Sequence, residues 1–82
     1  MITDKTGEEA VSEIEHWANR IAQAANKSVQ VSVYYDADSN TYVLRLAKKN
    51  HVLLFRLSEA QAQTAEREQE CEKVLKGKIR DL

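Results

Sequence analysis

One stretch, Val29 to Leu57, restricts the fold more than any other, because its apolar residues can be paired consistently in only one way. Val29, Val31, Val33 and Tyr35 alternate with Ser28, Gln30, Ser32 and Tyr34, the period of a strand with one buried face. Thr41 to Lys48 repeats the alternation with Tyr42, Leu44 and Leu46 inward, and His51 to Leu57 does so with Leu53, Phe55 and Leu57. If Lys49 and Asn50 form a two-residue hairpin loop, Leu46 faces Leu53, Leu44 faces Phe55 and Tyr42 faces Leu57. A four-residue loop at 37–40 likewise sets Val33 against Leu44 and Tyr35 against Tyr42. A slip of one residue would turn the whole apolar set to the other face, so the pattern predicts a three-stranded antiparallel meander in this register.

The flanks read as helices. Thr6 stands three residues before Glu9, the spacing of a capping box, and Ala10, Val11, Ile14, Trp17, Ala18, Ile21, Ala22 and Ala25 follow at three- and four-residue steps. Residues 1–6 are expected to fray, Trp17 to anchor the helix on the core, and Asn26, in a left-handed conformation, to end it together with Lys27. Ser58 and Gln61 form a second capping-box pair directly after the third strand. The composition beyond predicts one helix to about Arg80, with a thin apolar stripe of Ala62, Ala65, Cys71, Val74, Leu75, Ile79 and Leu82. Such a helix would be ~33 Å long against ~25 Å for the strands, and would overhang the sheet. The expected fold is therefore α+β: a two-layer α-β-β-β-α arrangement, with the helices mainly on one face of the meander.

At 82 residues the sequence has room for one small domain, 1–82, with a small core. Its 43% hydrophobic and 30% charged residues, no proline and two glycines are the balance of a folded chain and not of a disordered one. The single cysteine, Cys71, excludes an internal disulfide and leaves self-association as the most accessible source of extra stability. One unpaired thiol, no basic-then-apolar leader and no long apolar run point to a cytoplasmic protein without a membrane span. Basic and acidic side chains number two against five before Lys27, five against two from Lys27 to Leu57, and five against six thereafter. The meander thus carries the positive charge, but far less of it than a dedicated nucleic-acid binder would.

Few residues carry a chemical signal. Asp36, Asp38 and Asn40 have the one-three-five spacing of a calcium loop, but Thr41 stands where a glycine is required and Ala47 where a bidentate glutamate should be. A solvated turn accounts for them better. Glu13 and His16 have the spacing used in di-iron helices, but no second Glu/His pair exists to complete the site. His51 and Cys71 share no metal or nucleophile spacing, and no Gly-rich phosphate loop, nucleophile elbow or CxxC occurs. Neither an enzyme nor a cofactor is expected. His16 and His51 read as surface residues, and Cys71 as a small buried apolar group.

The outer face of the meander is the better candidate. The register places Gln30, Ser32, Tyr34, Val43, Arg45, Ala47, Val52, Leu54 and Arg56 there, a mixture too apolar for an ordinary solvated face and too charged for a core. Tyr34, Val43, Arg45, Val52, Leu54 and Arg56 are the expected partner-binding residues, since Tyr and Arg are enriched at interfaces and the apolar members form a patch between the arginines. The order helix, three-strand meander, helix is similar to that of the double-stranded RNA-binding domain. The resemblance is one of topology: where that family has a Lys-rich start to its second helix, this chain reads Ser58, Glu59, Ala60, Gln61 and continues into Glu66, Glu68, Glu70 and Glu72, which repel phosphate. A protein-interaction or assembly module, most readily a homodimer, is the leading expectation. The alternative is a small nucleic-acid-binding module using Tyr34, Arg45 and Arg56 with Lys48 and Lys49 by stacking and phosphate contact.

Overall fold

A strand paired on both sides sits at the centre of the computed structural model, which describes all of Met1–Leu82. Strand β2 (Thr41–Lys48) lies between β1 (Gln30–Asp36) and β3 (His51–Ser58) in an antiparallel sheet of order β1-β2-β3. The register is the one the apolar pattern demands: Val33 opposite Leu44, Tyr35 opposite Tyr42, Leu46 opposite Leu53, Leu44 opposite Phe55 and Tyr42 opposite Leu57. Two turn residues take left-handed backbone, Asn40 at φ 54° and Lys49 at φ 53°. Asparagine tolerates this conformation; lysine adopts it at a cost in backbone energy.

The first helix, α1 (Val11–Ala25), buries Ile14, Trp17, Ala18, Ile21 and Ala22 against the inner face of the sheet, mainly over β1. It begins differently from the expected capping box. Thr6 makes no capping bond, Gly7 takes φ +56°, and a 3-10 turn over Gly7–Ala10 leads into the helix. The lead-in is also docked where fraying was expected. The backbone N–H groups of Ile2 and Thr3 donate to the Ala62 carbonyl at 2.9 and 3.3 Å. Thr3 is buried, and its hydroxyl donates to Glu13 while accepting from the Lys5 N–H. At the other end Asn26 is extended (φ −162°, ψ 111°) instead of left-handed, and its side-chain oxygen accepts from the Ser28 N–H at 2.9 Å. The side chain closes the turn that a left-handed backbone would otherwise make.

Where one long helix was expected after β3, the chain folds back. The predicted capping box forms, with Ser58 Oγ accepting from the Gln61 N–H and Gln61 Oε1 from the Ser58 N–H, and it launches α2 (Glu59–Gln63). Thr64 is then extended (φ −96°, ψ 118°), a 3-10 turn spans Ala65–Arg67, and α3 covers Glu68–Arg80. The reason is tertiary, since neither glycine nor proline stands at the break. A straight helix would carry Leu75 ~25 Å from Ser58, off the end of the sheet. The break instead returns Cys71, Leu75 and Ile79 to the core, against α1 and β3. It also frees the Ala62 carbonyl for the two bonds from the amino-terminal segment. The overhang is thereby removed, and the Cα trace measures 31 × 25 × 17 Å.

The inner face is closed unevenly. Tyr42, Leu44, Leu46 and Leu57 are fully buried, whereas Leu53 and Phe55, also expected in the core, are only partly covered, and Val74, from the apolar stripe expected of a single second helix, is exposed on α3. These three lie where β3 forms the sheet's margin. The Trp17 indole N–H is buried without a hydrogen-bond partner, and the buried Tyr42 hydroxyl makes no well-formed bond, with only the Gly7 backbone close to it; burial raises the pKa of the phenol above its ordinary value. A buried polar group left unpaired costs roughly 1–3 kcal/mol. Tyr42→Phe, which keeps the ring and removes that group, is therefore expected to leave stability unchanged or raise it by about 1 kcal/mol, read as an equal or higher midpoint in urea denaturation.

Candidate interaction face

The helices pack on the inner side of the sheet, so the outer side is built only from what the strands present. The register arranges it in rows: Tyr34, Val43 and Arg56; Ser32, Arg45 and Leu54; Gln30, Ala47 and Val52. Tyr34, Leu54 and Val52 are 54%, 57% and 46% exposed, and Arg45 and Arg56 are exposed as well. Five of the six predicted partner-binding residues are thus on the surface together. The sixth, Val43, is not available: it is 0% exposed although it lies outside the main core cluster. A short side chain in the central strand, set between the longer Tyr34 and Arg56, is roofed by its neighbours and supports the face from beneath.

The two arginines differ. Arg56 Nη1 reaches across the sheet to the β1–β2 turn, donating to Asp36 Oδ2 at 3.2 Å, Thr41 Oγ1 at 2.9 Å and, more loosely, Ser39 Oγ at 3.4 Å. The guanidinium is the main reason that the Asp36 carboxyl is held below the usual carboxylate range, helped by Ser39 and the Asp38 N–H. Arg45, in the middle row, has no ion pair and no hydrogen bond, and is the free cation of the face. Lys48 and Lys49 sit at the opposite end, at the β2–β3 turn. The positive charge is therefore dispersed and partly neutralised, which makes a poor track for a phosphate backbone.

The same contacts account for the calcium-like spacing. Asp36 Oδ1 accepts from the Asp38 N–H at 3.1 Å, Asp36 Oδ2 is held by Arg56, and the Tyr35 hydroxyl, with one proton to give, lies 2.9 Å from Asn40 Oδ1 and 3.0 Å from Glu59 Oε1. The Asp36 oxygens are committed to organising the turn. No group of three or more His, Cys, Asp or Glu side chains is placed to hold a metal ion.

A second concavity, about 830 Å³ and open to solvent, lies between the lead-in and the polar side of α1 and is lined by Ile2, Glu13, His16, Asn19, Arg20 and Gln23. It contains the Glu13–His16 pair. The Thr3 hydroxyl, and then the Lys5 ammonium 3.5 Å away, lower the Glu13 pKa, so its carboxyl is ionised at neutral pH. His16 and His51 are exposed, as expected. Cys71 is buried beside a groove of about 310 Å³ lined by Phe55, Gln61, Arg67, Glu70 and Val74. Burial, followed by the Glu70 charge, pushes its thiol upward, away from the thiolate form that reacts.

Sequence reasoning missed three residues that shape the surface. Glu15, Asn19 and Gln23, one helical turn apart on α1, reach the outer edge of β1. Glu15 Oε2 accepts from the Val33 N–H at 3.0 Å, Asn19 bonds both the N–H and the carbonyl of Val31, and Gln23 donates to the Val29 carbonyl at 3.5 Å. Their four-residue spacing is visible in the sequence, but nothing local announces a strand edge beside them.

No family model, no curated protein and no solved structure matches the chain. The likeness to the double-stranded RNA-binding domain accordingly rests on the order of elements alone.

Two outcomes follow from burial. Val43→Glu, which places an unpaired charge under the face, should destabilise the fold by about 3 kcal/mol, whereas Arg45→Glu should stay within about 0.5 kcal/mol of the parent, both by urea denaturation. Cys71 should react with a thiol reagent at neutral pH far more slowly in the native protein than in urea, with equal final stoichiometry.

Proposed function

We propose that this chain is a non-enzymatic interaction module that associates with a second copy of itself through the helix-free side of its sheet. The observation that carries this reading is the exposure of Tyr34, Val52 and Leu54 on one uncovered face, with Arg45 unpaired among them. These three side chains, each about half exposed on one side of the sheet, with Val52 and Leu54 together on β3 and Tyr34 across on β1, lose apolar hydration when covered, and Tyr and Arg are the residue types that interfaces favour. The small core argues in the same direction, since a chain of 82 residues has little other means of burying more apolar surface. The buried thiol, held away from its thiolate form, and the hydrogen-bonded carboxylates support a binding role over a chemical one.

The proposed setting is the cytoplasm, where a single free cysteine is stable. No helix is long and apolar enough to cross a membrane. The nucleic-acid reading is the weaker one, because Arg56 is already paired with Asp36 and only Arg45 remains free in the centre of the face.

Light scattering after gel filtration tests the proposal. The parent should shift with concentration from 9.4 kDa towards twice that mass, and Leu54→Glu should hold it at 9.4 kDa with an unchanged far-ultraviolet spectrum. A strict monomer at high micromolar concentration would overturn it.

A further inference from the structure

The two margins of the sheet are finished in different ways. In an antiparallel sheet each strand residue turns its backbone N–H and C=O to one neighbour only, and successive residues alternate. Val31 and Val33 turn theirs away from the sheet, towards Asn19 and Glu15. The even-numbered residues of β1 therefore bond to the odd-numbered residues of β2, and the even-numbered residues of β2 bond to β3. In the observed register their partners are His51, Leu53, Phe55 and Leu57. Val52, Leu54 and Arg56 are left with N–H and C=O groups directed outward. Ser58, next in that series, turns its N–H to Gln61. No side chain or backbone group meets the other three.

Strand β3 is thus a bare edge, whereas β1 is covered by a column of side chains. The bare edge is also the apolar one. Val52 and Leu54 are exposed on the outer side and Leu53 and Phe55 are part-covered on the inner side, without the proline, bulge or inward charge that usually blunts such an edge. A row of alternating N–H and C=O groups is complementary to its own copy turned through a two-fold axis.

Resting on the self-association part of that reading, and moving the contact from across the outer face to its β3 margin, we infer that β3 of one copy pairs antiparallel with β3 of a second, about a two-fold axis at Leu54, merging the meanders into one continuous sheet. One observation favours a second copy as the occupant. The groove beneath the edge carries Arg67 and Glu70, opposite charges neither of which has an ion pair within the chain, so that this flank is complementary to itself. The area limits how tight such a pair can be. An edge of this length, about 27 Å long and about 10 Å deep, presents on the order of 270 Å². That is a third of the ~800 Å² per partner of a standard interface. Val52, Leu54, Phe55 and Val74 must supply the remainder, and the resulting pair should be concentration-dependent rather than obligate.

Amide hydrogen exchange of the intact chain, followed by nuclear magnetic resonance at low and high micromolar concentration, reads the edge directly. On dimerisation the amides of Val52, Leu54 and Arg56 should slow by about tenfold or more, with those of Gln30 and Ser32 unchanged. Leu54→Pro removes an outward N–H without touching the β2–β3 ladder and should abolish the dimer, while Tyr34→Glu, on the far side of the outer face, should leave it intact. A dimer in which the three β3 amides exchange as in the monomer, or which Tyr34→Glu disrupts and Leu54→Pro does not, overturns edge pairing and leaves self-association through the face standing. A monomer at every concentration overturns both.

Discussion

The rest of the structure depends on the double pairing of β2. Its even-numbered residues bond to β3 and point inward, its odd-numbered residues bond to β1 and point outward, and neither assignment can change without the other. Tyr42, Leu44 and Leu46 are therefore fixed as the floor of the core, and α1 and α3 have only to cover them. The same parity decides which backbone groups face the two margins. It also places Val43 and Arg45 on the outer side, one roofed by its neighbours and the other free.

The second organising contact joins residues distant in the sequence. The Ala62 carbonyl gives up its place in a helical ladder and accepts from Ile2 and Thr3. A buried carbonyl at a helix end needs a donor, and the amino-terminal segment provides two. Thr3 then ties the same segment to α1 through Glu13. The break at Thr64, the docking of the lead-in and the seating of Leu75 and Ile79 form one arrangement, in which each part supplies what another lacks.

How much was legible in the sequence follows from the range of each interaction. The hairpin registers could be read on paper, because alternation and loop length are local and a wrong choice leaves several apolar residues facing water. The Ser58–Gln61 cap was equally local. The break in the second helix was not, because Gln63, Thr64 and Ala65 contain no strong helix breaker and the causes are tertiary: the core that receives Leu75 and Ile79, and the amino-terminal segment that bonds Ala62. The predicted cap at Thr6 failed for a related reason: Thr3 and Gly7 route the chain from its docked segment into a 3-10 turn that a spacing rule does not anticipate. On the outer face alternation gave the correct side for every residue, but it carries no information about size. It could not reveal that Tyr34 and Arg56 shelter Val43, or that Asp36 holds Arg56 and leaves Arg45 free.

The Ile2–Ala62 closure also bears on the order in which the molecule assembles. The two hairpins join residues close in sequence, so their loops close at small entropic cost and form readily in an otherwise open chain. The bonds from Ile2 and Thr3 to Ala62 close a loop of about 60 of the 82 residues and have value only once α1 is seated and Thr64 has turned. Their natural place is late in folding. Interactions that form after the rate-limiting barrier govern how quickly a protein comes apart rather than how quickly it comes together. Formed in that order, a pair of backbone bonds at the amino terminus would act as a latch on the lifetime of the native state.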